Sequence, residues 1–206
     1  MLTASGLAYR LPTGRVLFEG VTLSVELGQV IFIEGPSGTG KSTLLALLGG
    51  VLRSSVGDVT TTTVHPAPFA WVLQTLNSLN ARTVLANAML FARLDGTSTK
   101  VASGLSREML RLVGIDALAS ARAGQLSGGE LQRLAVVRAL SCTRPVILAD
   151  EPTNQLDRVN ARLVMSTLVE QARDQNRSAV VVTHDRDSVP SDARILRLDE
   201  SGLHAA

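Results

Sequence analysis

Cysteine, aromatic residues, long apolar runs and surplus charge are all scarce in this chain. A single cysteine, Cys142, excludes an internal disulfide and fits a reducing compartment, with an inert core thiol as its expected state. The formal net charge is only +2 and no Lys/Arg block occurs, so no strong field invites nucleic acid. No apolar run approaches the roughly 18 residues that a spanning helix needs, and the opening Met-Leu-Thr-Ala-Ser-Gly lacks a basic region followed by an apolar one. A cytosolic chain is therefore expected, unless a partner holds it at a membrane. What is present is 206 residues, 45% of them hydrophobic: enough for a real core and short for two domains. One domain over residues 1–206 is expected, and no internal repeat appears.

The most informative stretch runs from Val30 to Gly50. Val30-Ile-Phe-Ile-Glu34 is apolar and β-branched without helical period, which reads as a buried strand, and the Leu-rich run after the glycines reads as a helix. Between them, Gly35 to Ser42 fits G-x-x-x-x-G-K-[ST] at every fixed position, with strand before and helix after. Gly35, Gly38 and Gly40 open backbone angles closed to other residues and let phosphate oxygens approach amide hydrogens. The helix starting near Lys41 adds free N–H groups and the positive end of its dipole. Lys41 is then a point charge for the β and γ phosphates and the Ser42 hydroxyl a Mg²⁺ ligand. By itself this loop specifies a nucleotide and Mg²⁺, not a kinase, a GTPase or a transporter motor.

Elsewhere the pattern is mixed. Residues 1–29 alternate apolar and polar positions in three short pieces, Leu7–Arg10, Val16–Phe18 and Val21–Val25, which reads as antiparallel strands. Tyr9 is the one tyrosine, either a core residue or a stacking platform for a base. Val59 to Val64 reads as an edge strand, and Phe69 to Leu73 as another that Gln74 closes, with Trp71 as core. Thr83 to Val113 turns helical, interrupted by a loop over Asp95–Ser103. Ser127 is placed to cap a helix over Leu131–Leu140, and Glu130 completes a capping box. Arg133 and Arg138 on that helix are expected to face neighbouring acids or solvent. His65 and His204 are expected to be solvated. Strands and helices then alternate through Val146–Ala149, Ala161–Arg173, Ala179–Thr183 and a last strand, Ile195–Leu198, which implies a parallel sheet with sites at the strands' carboxyl ends. Asp150 and Glu151 end one of those strands. Two adjacent carboxylates repel unless they share a cation or a water, so they are expected to face Mg²⁺ and a nucleophilic water.

Tyr9, the loop Gly35–Ser42, Gln74, Leu126-Ser127-Gly128-Gly129-Glu130, Ile147-Leu148-Ala149-Asp150-Glu151, Asn154-Gln155-Leu156-Asp157 and Thr183-His184-Asp185 follow one another in the order and rough spacing of an ATP-binding-cassette (ABC) ATPase. The chain resembles that family over nearly its whole length, and Leu-Ser-Gly-Gly-Glu is its discriminating signature. The resemblance implies an α/β fold of the P-loop NTPase type, with a mostly parallel sheet core, a reduced antiparallel β lobe and an α-helical subdomain inserted at about residues 75–135. It implies that Tyr9 stacks on adenine and that Gly35, Pro36, Ser37, Gly38, Thr39, Gly40, Lys41, Ser42 and Thr43 cradle the phosphates of ATP. Ser42, Gln74 and Asp150 would hold Mg²⁺ directly or through water, Glu151 would be the general base, and His184 would contact the γ-phosphate and keep Glu151 in line.

Further implications concern partners. Ser127, Gly128, Gly129 and Glu130 would present a second helix N-terminus to ATP bound by another copy, so that two ATP lie between two head-to-tail chains with Asp157 on the seam. The Leu-Gly-Gly after the loop helix, Leu-Ala-Asp-Glu-Pro-Thr and Val-Thr-His-Asp resemble the branch of macrolide-exporter, lipoprotein-releasing, haem-exporter and cell-division-type ATPases. A transmembrane permease subunit at the cytoplasmic face of the membrane, its coupling helix received by the helical piece 83–123 near Gln74, is the implied partner. Three departures stand out: a short segment from Gly57 to Gln74, Asn154-Gln155 in place of small residues before Leu-Asp, and little chain after Leu198 for a regulatory domain. Two other readings compete with transport: an ABC ATPase that signals to or remodels a partner, and a small-molecule P-loop kinase, which would have no use for Leu126–Glu130.

Overall fold

In the computed structural model, which describes residues 1–62, 65–75 and 77–206, the apolar run before the glycines is strand β3, Val30–Glu34, with four of its five residues buried. A strand covered on both faces has no polar side to alternate with, hence its sequence. Its sheet also contains β5 (Phe69–Val72), β6 (Val146–Asp150), β7 (Ser178–Val182), β8 (Arg194–Asp199) and β9 (Gly202–Ala205), in the spatial order β5-β6-β7-β3-β8-β9. All neighbours pair in parallel except β9, which folds back on β8. Successive side chains of one strand therefore enter different cores. Val30 and Phe32 join Ile147, Ala149, Ala179 and Val181 on one face, whereas Ile31 and Ile33 join Val146, Leu148, Val180 and Val182 on the other.

On the second face lies α1 (Lys41–Leu48), burying Leu44, Leu45, Leu47 and Leu48, covered in turn by an antiparallel sheet of β2 (Val16–Val25), β1 (Leu2–Arg10) and β4 (Val56–Thr61). The three short pieces foreseen ahead of the loop are two long strands. Register shifts between Ala4 and Leu7 and again before Tyr9 break the period-two pattern that would have revealed their length. The strand expected over 59–64 starts earlier, at Val56, and its far end at Thr63 and Val64 lies outside the described residues.

The first face carries α5 (Gly128–Leu140) and α6 (Arg158–Asp174), with α2 (Val84–Ala88), α3 (Leu90–Leu94) and α4 (Thr99–Leu112) beyond them. The loop expected over 95–103 is shorter. Ser98 Oγ accepts from the Val101 amide and starts α4 at Thr99. Asp95 is no solvated loop acid: it forms a two-pronged pair with Arg144, whose guanidinium also donates to the Phe69 carbonyl and lies 4.6 Å from the Phe91 ring centre. Ile195–Leu198 is likewise not the last strand. A turn in which Asp199 Oδ1 accepts from the Ser201 amide and hydroxyl, with Gly202 at φ 123°, returns the chain as β9.

Candidate active site

The glycine-rich loop leaves β3 at Gly35 and enters α1 at Gly40. A side chain at Gly35 would place its first carbon 2.5 Å from the Leu198 carbonyl oxygen, and one at Gly40, which has φ 94°, would press on the Phe18 ring at 3.0 Å. Torsion therefore demands glycine at both, reinforced by a facing backbone at Gly35 and by packed side chains at Gly40. Lys41 Nζ reaches back to the carbonyls of Gly35 (2.8 Å) and Pro36 (3.0 Å), and Thr39 Oγ1 donates to Pro36 as well. The loop's shape is thus fixed by its own members.

In front of the loop lies a cleft of about 390 Å³. Its walls include Ser37, Gly38 and Gly40 to Thr43 from the loop, with Gln74, Asp150 and Glu151 from the ends of β5 and β6. Leu17 and Val182 also line it; both were missed in the sequence, because each is an ordinary strand hydrophobe until the two sheets are stacked. Tyr9 lies elsewhere. It pairs with Phe18 across β1 and β2 and packs, half-buried, against the apolar layer, outside the walls of the cleft.

Burial pushes the Asp150 carboxyl above its ordinary range, with Glu151 adding to the shift and the Ser42 hydroxyl and Lys41 opposing it. One carboxylate oxygen, Oδ1, is buried without a partner. Ser42, Gln74 and Asp150 provide a hydroxyl, an amide and a carboxylate in one cleft, an oxygen set that suits Mg²⁺. Among the described residues no group of three or more His, Cys, Asp or Glu gathers as a protein-only cage. A cation sharing its shell with phosphates and water does not require one.

Glu151 is buried and takes φ 49°, a left-handed backbone at a non-glycine residue. Its Oε1 lies 2.8 Å from His184 Nδ1 and its Oε2 accepts from the His184 backbone amide at 3.4 Å, so one residue holds both carboxylate oxygens, one through a largely exposed imidazole and the other through its main chain.

The signature residues form a separate structure. Ser127 Oγ accepts from the Glu130 amide, while Glu130 Oε2 accepts from the Ser127 amide (2.8 Å) and hydroxyl (2.7 Å), which holds the Glu130 carboxyl below its ordinary range. A side chain on Gly128 would collide with Gln155 Oε1, and one on Gly129 would meet the Gln155 carbonyl. Asp157 caps α6 by accepting from the amides of Val159 and Asn160 and from the Asn160 side chain, and its carboxyl is lowered chiefly by the Asn160 amide. Ser127, Gly128, Gly129, Glu130 and Asp157 do not line the cleft of their own chain.

Of the two arginines after the signature, Arg138 departs from the expectation of facing acids or solvent. Arg138 is buried, donates to the Asn77 carbonyl and stands 5.2 Å from the Phe91 ring centre, and burial lowers its pKa. Arg133 donates to the Val113 carbonyl and to Asn160 Oδ1, and its charge also helps to lower the carboxyl of the neighbouring acid Glu130. Arg138 was read from neighbours along the helix, whereas its partners are distant in sequence. Arg138 and Phe91 line a groove of about 360 Å³ with Val51, Trp71, Leu73 and Asn77, so Trp71 is partly exposed there. His65 is partly buried rather than solvated, its Nδ1 accepting from the Ala67 amide. His204 is exposed, and Cys142 is buried with its thiol pKa raised by that burial.

A glycine loop on a helix N-terminus, facing two carboxylates at the end of a parallel strand, defines a P-loop nucleotide site. The family model described as "ABC transporter" matches residues 18–154, and the chain belongs to that family. The chain is 36% identical to the lipoprotein-releasing system ATP-binding protein LolD of Legionella pneumophila, covering 96% of this chain and 93% of LolD. It is also 36% identical to an uncharacterized ABC transporter ATP-binding protein of Mycobacterium tuberculosis over 87% of its own length, but spans only 58% of that relative. Among solved structures, the dimeric structure of MJ0796, a bacterial ABC transporter cassette, superposes with a TM-score of 0.87 at 27% identity, covering 99% of this chain and 97% of that one. A post-hydrolysis state of the same cassette, bound to ADP and Pi, gives 0.85 at 26% identity, covering 100% and 98%.

Proposed function

We propose that this chain is the ATP-hydrolysing subunit of a membrane transporter, and that two copies close head to tail around two ATP. The observation that carries this is the separation just described: phosphate loop and acidic pair share one cleft, while the signature helix presents its capped N-terminus outside it. The dimeric cassette structures and the LolD relatives support the pairing and the transport role.

Within the cleft, the loop amides and Lys41 bind the phosphates; Tyr9, outside its walls, is assigned to stack on the base where the nucleotide extends beyond the cleft. Ser42, Gln74 and Asp150 would hold Mg²⁺, which when bound neutralises charge on the phosphate oxygens. Glu151 accepts a proton from the attacking water, and His184 keeps that carboxylate aimed. Ser127, Gly128 and Gly129 of a second copy donate to the γ-phosphate from the other side, with Asp157 on the seam. A triphosphate touches both helices and a diphosphate does not, so binding favours the closed pair and hydrolysis opens it.

No described helix is long and apolar enough to cross a membrane; this reading assigns the motion to a permease subunit engaged at the cytoplasmic face. The groove between Val51, Trp71 and Phe91, next to Gln74, is where that subunit docks. Export or extrusion of the macrolide, lipoprotein or haem type is the transport mode we assign, LolD being the supporting relative. The test is ATP turnover by the purified chain against protein concentration. Specific activity should rise as pairs form; activity independent of concentration, in a chain that stays monomeric with ATP, would remove the shared site.

A further inference from the structure

Glu151 holds a left-handed backbone conformation that disfavours any residue with a side chain, and such strain persists only where the surroundings over-determine it. Its amide donates to the Val182 carbonyl at 2.9 Å. Its carbonyl accepts twice, from the Asn154 amide at 3.3 Å and from Gln132 Nε2 at 3.2 Å. The first two bonds belong to the neighbouring strand and the ensuing turn. The third crosses from α5, the helix that begins at the signature.

Gln132 is a poor choice for stability alone. It is completely buried, and its Oε1 has no partner, so a group with several hydrogen-bonding positions is carried into the core. Turning the amide over would set Oε1 against the Glu151 carbonyl oxygen, which fixes the orientation. We infer that Gln132 is a positioning residue: its amide pins the Glu151 peptide to the signature helix, so that the placement of this helix sets the aim of the general base. The inference rests on Glu151 being that base. A rigid helix then connects the γ-phosphate at one end, held for the second copy, with the water-activating carboxylate of its own chain.

Gln132→Met keeps length and volume and removes the donor. Steady-state kinetics should show kcat lowered roughly 10- to 100-fold with KM for ATP within about twofold, because Gln132 touches neither the phosphate loop nor Lys41, which bind the nucleotide. Introduced into Glu151→Gln, the same change should lower the residual rate by less than about twofold, since both act through one group. Wild-type kcat in Gln132→Met, or an equal loss in both backgrounds, overturns the inference while leaving the base assignment intact. Full turnover in Glu151→Gln alone overturns the assignment and the inference with it. Should the Met variant not fold, Gln132→Leu serves in its place: it likewise lacks a donor for the Glu151 carbonyl and predicts the same non-additive loss.

Discussion

Asp150 is where residue chemistry and stability pull apart. A buried carboxylate with an orphaned oxygen and a raised pKa binds protons more readily folded than unfolded, so stability falls as pH climbs above the ordinary carboxylate range. Asp150→Asn should accordingly raise the melting temperature of the nucleotide-free protein at neutral pH by roughly 2–4 °C, about 1 kcal/mol at this chain length. That advantage should vanish as pH falls through the carboxylate range, where the native side chain is protonated too. The variant should also lose any Mg²⁺-dependent gain in melting temperature with ATP; calorimetry across pH, with and without Mg²⁺, checks both. Lys41→Ala should abolish tight ATP binding, read by equilibrium dialysis, because no other cation lines the cleft among the described residues. Most of this site was legible from residue types, since each fixed position of the loop has a local physical reason. The support around it was not: Gln132, Leu17 and Val182 act through contacts that join segments far apart in sequence.

At the scale of elements, the capping box was readable because both partners lie within one turn. Ser127→Arg should leave ATP binding unchanged and block hydrolysis, measured by nucleotide binding and phosphate release on one preparation. An active variant would deny the signature its role. Asp95 and Arg144 carried no such signal, being far apart in sequence and each plausible as a surface charge. In the fold they join α3 to the start of β6 while nearly inaccessible, at 5% and 11% exposure. Asp95→Ala strands a buried guanidinium and should cost about 3–5 kcal/mol, seen as a lowered urea midpoint. Strand lengths in the outer sheet escaped the sequence for another reason. Bulges there shift the alternation partway, so one strand reads as two.

Across the whole molecule, the alternation of strands and helices after residue 140 implied a parallel sheet with its site at the carboxyl ends, and the observed strand order puts the loop after β3 and the acidic pair at the end of β6, with β7 between them, both lining one cleft at that edge. The antiparallel return of β9 was invisible because a four-residue strand has too little pattern to separate it from a tail. The quaternary claim is also the largest one: ATP joins two copies through surfaces that a single copy cannot bring together. Glu151→Gln should bind ATP, turn over roughly 10²- to 10⁴-fold more slowly, and hold the closed pair long enough to observe. Sedimentation of that variant with ATP and Mg²⁺ is the most direct measurement. A species of twice the chain mass that dissociates with ADP, and that Ser127→Arg prevents, is the predicted result; a monomer that binds ATP tightly and never pairs would contradict it.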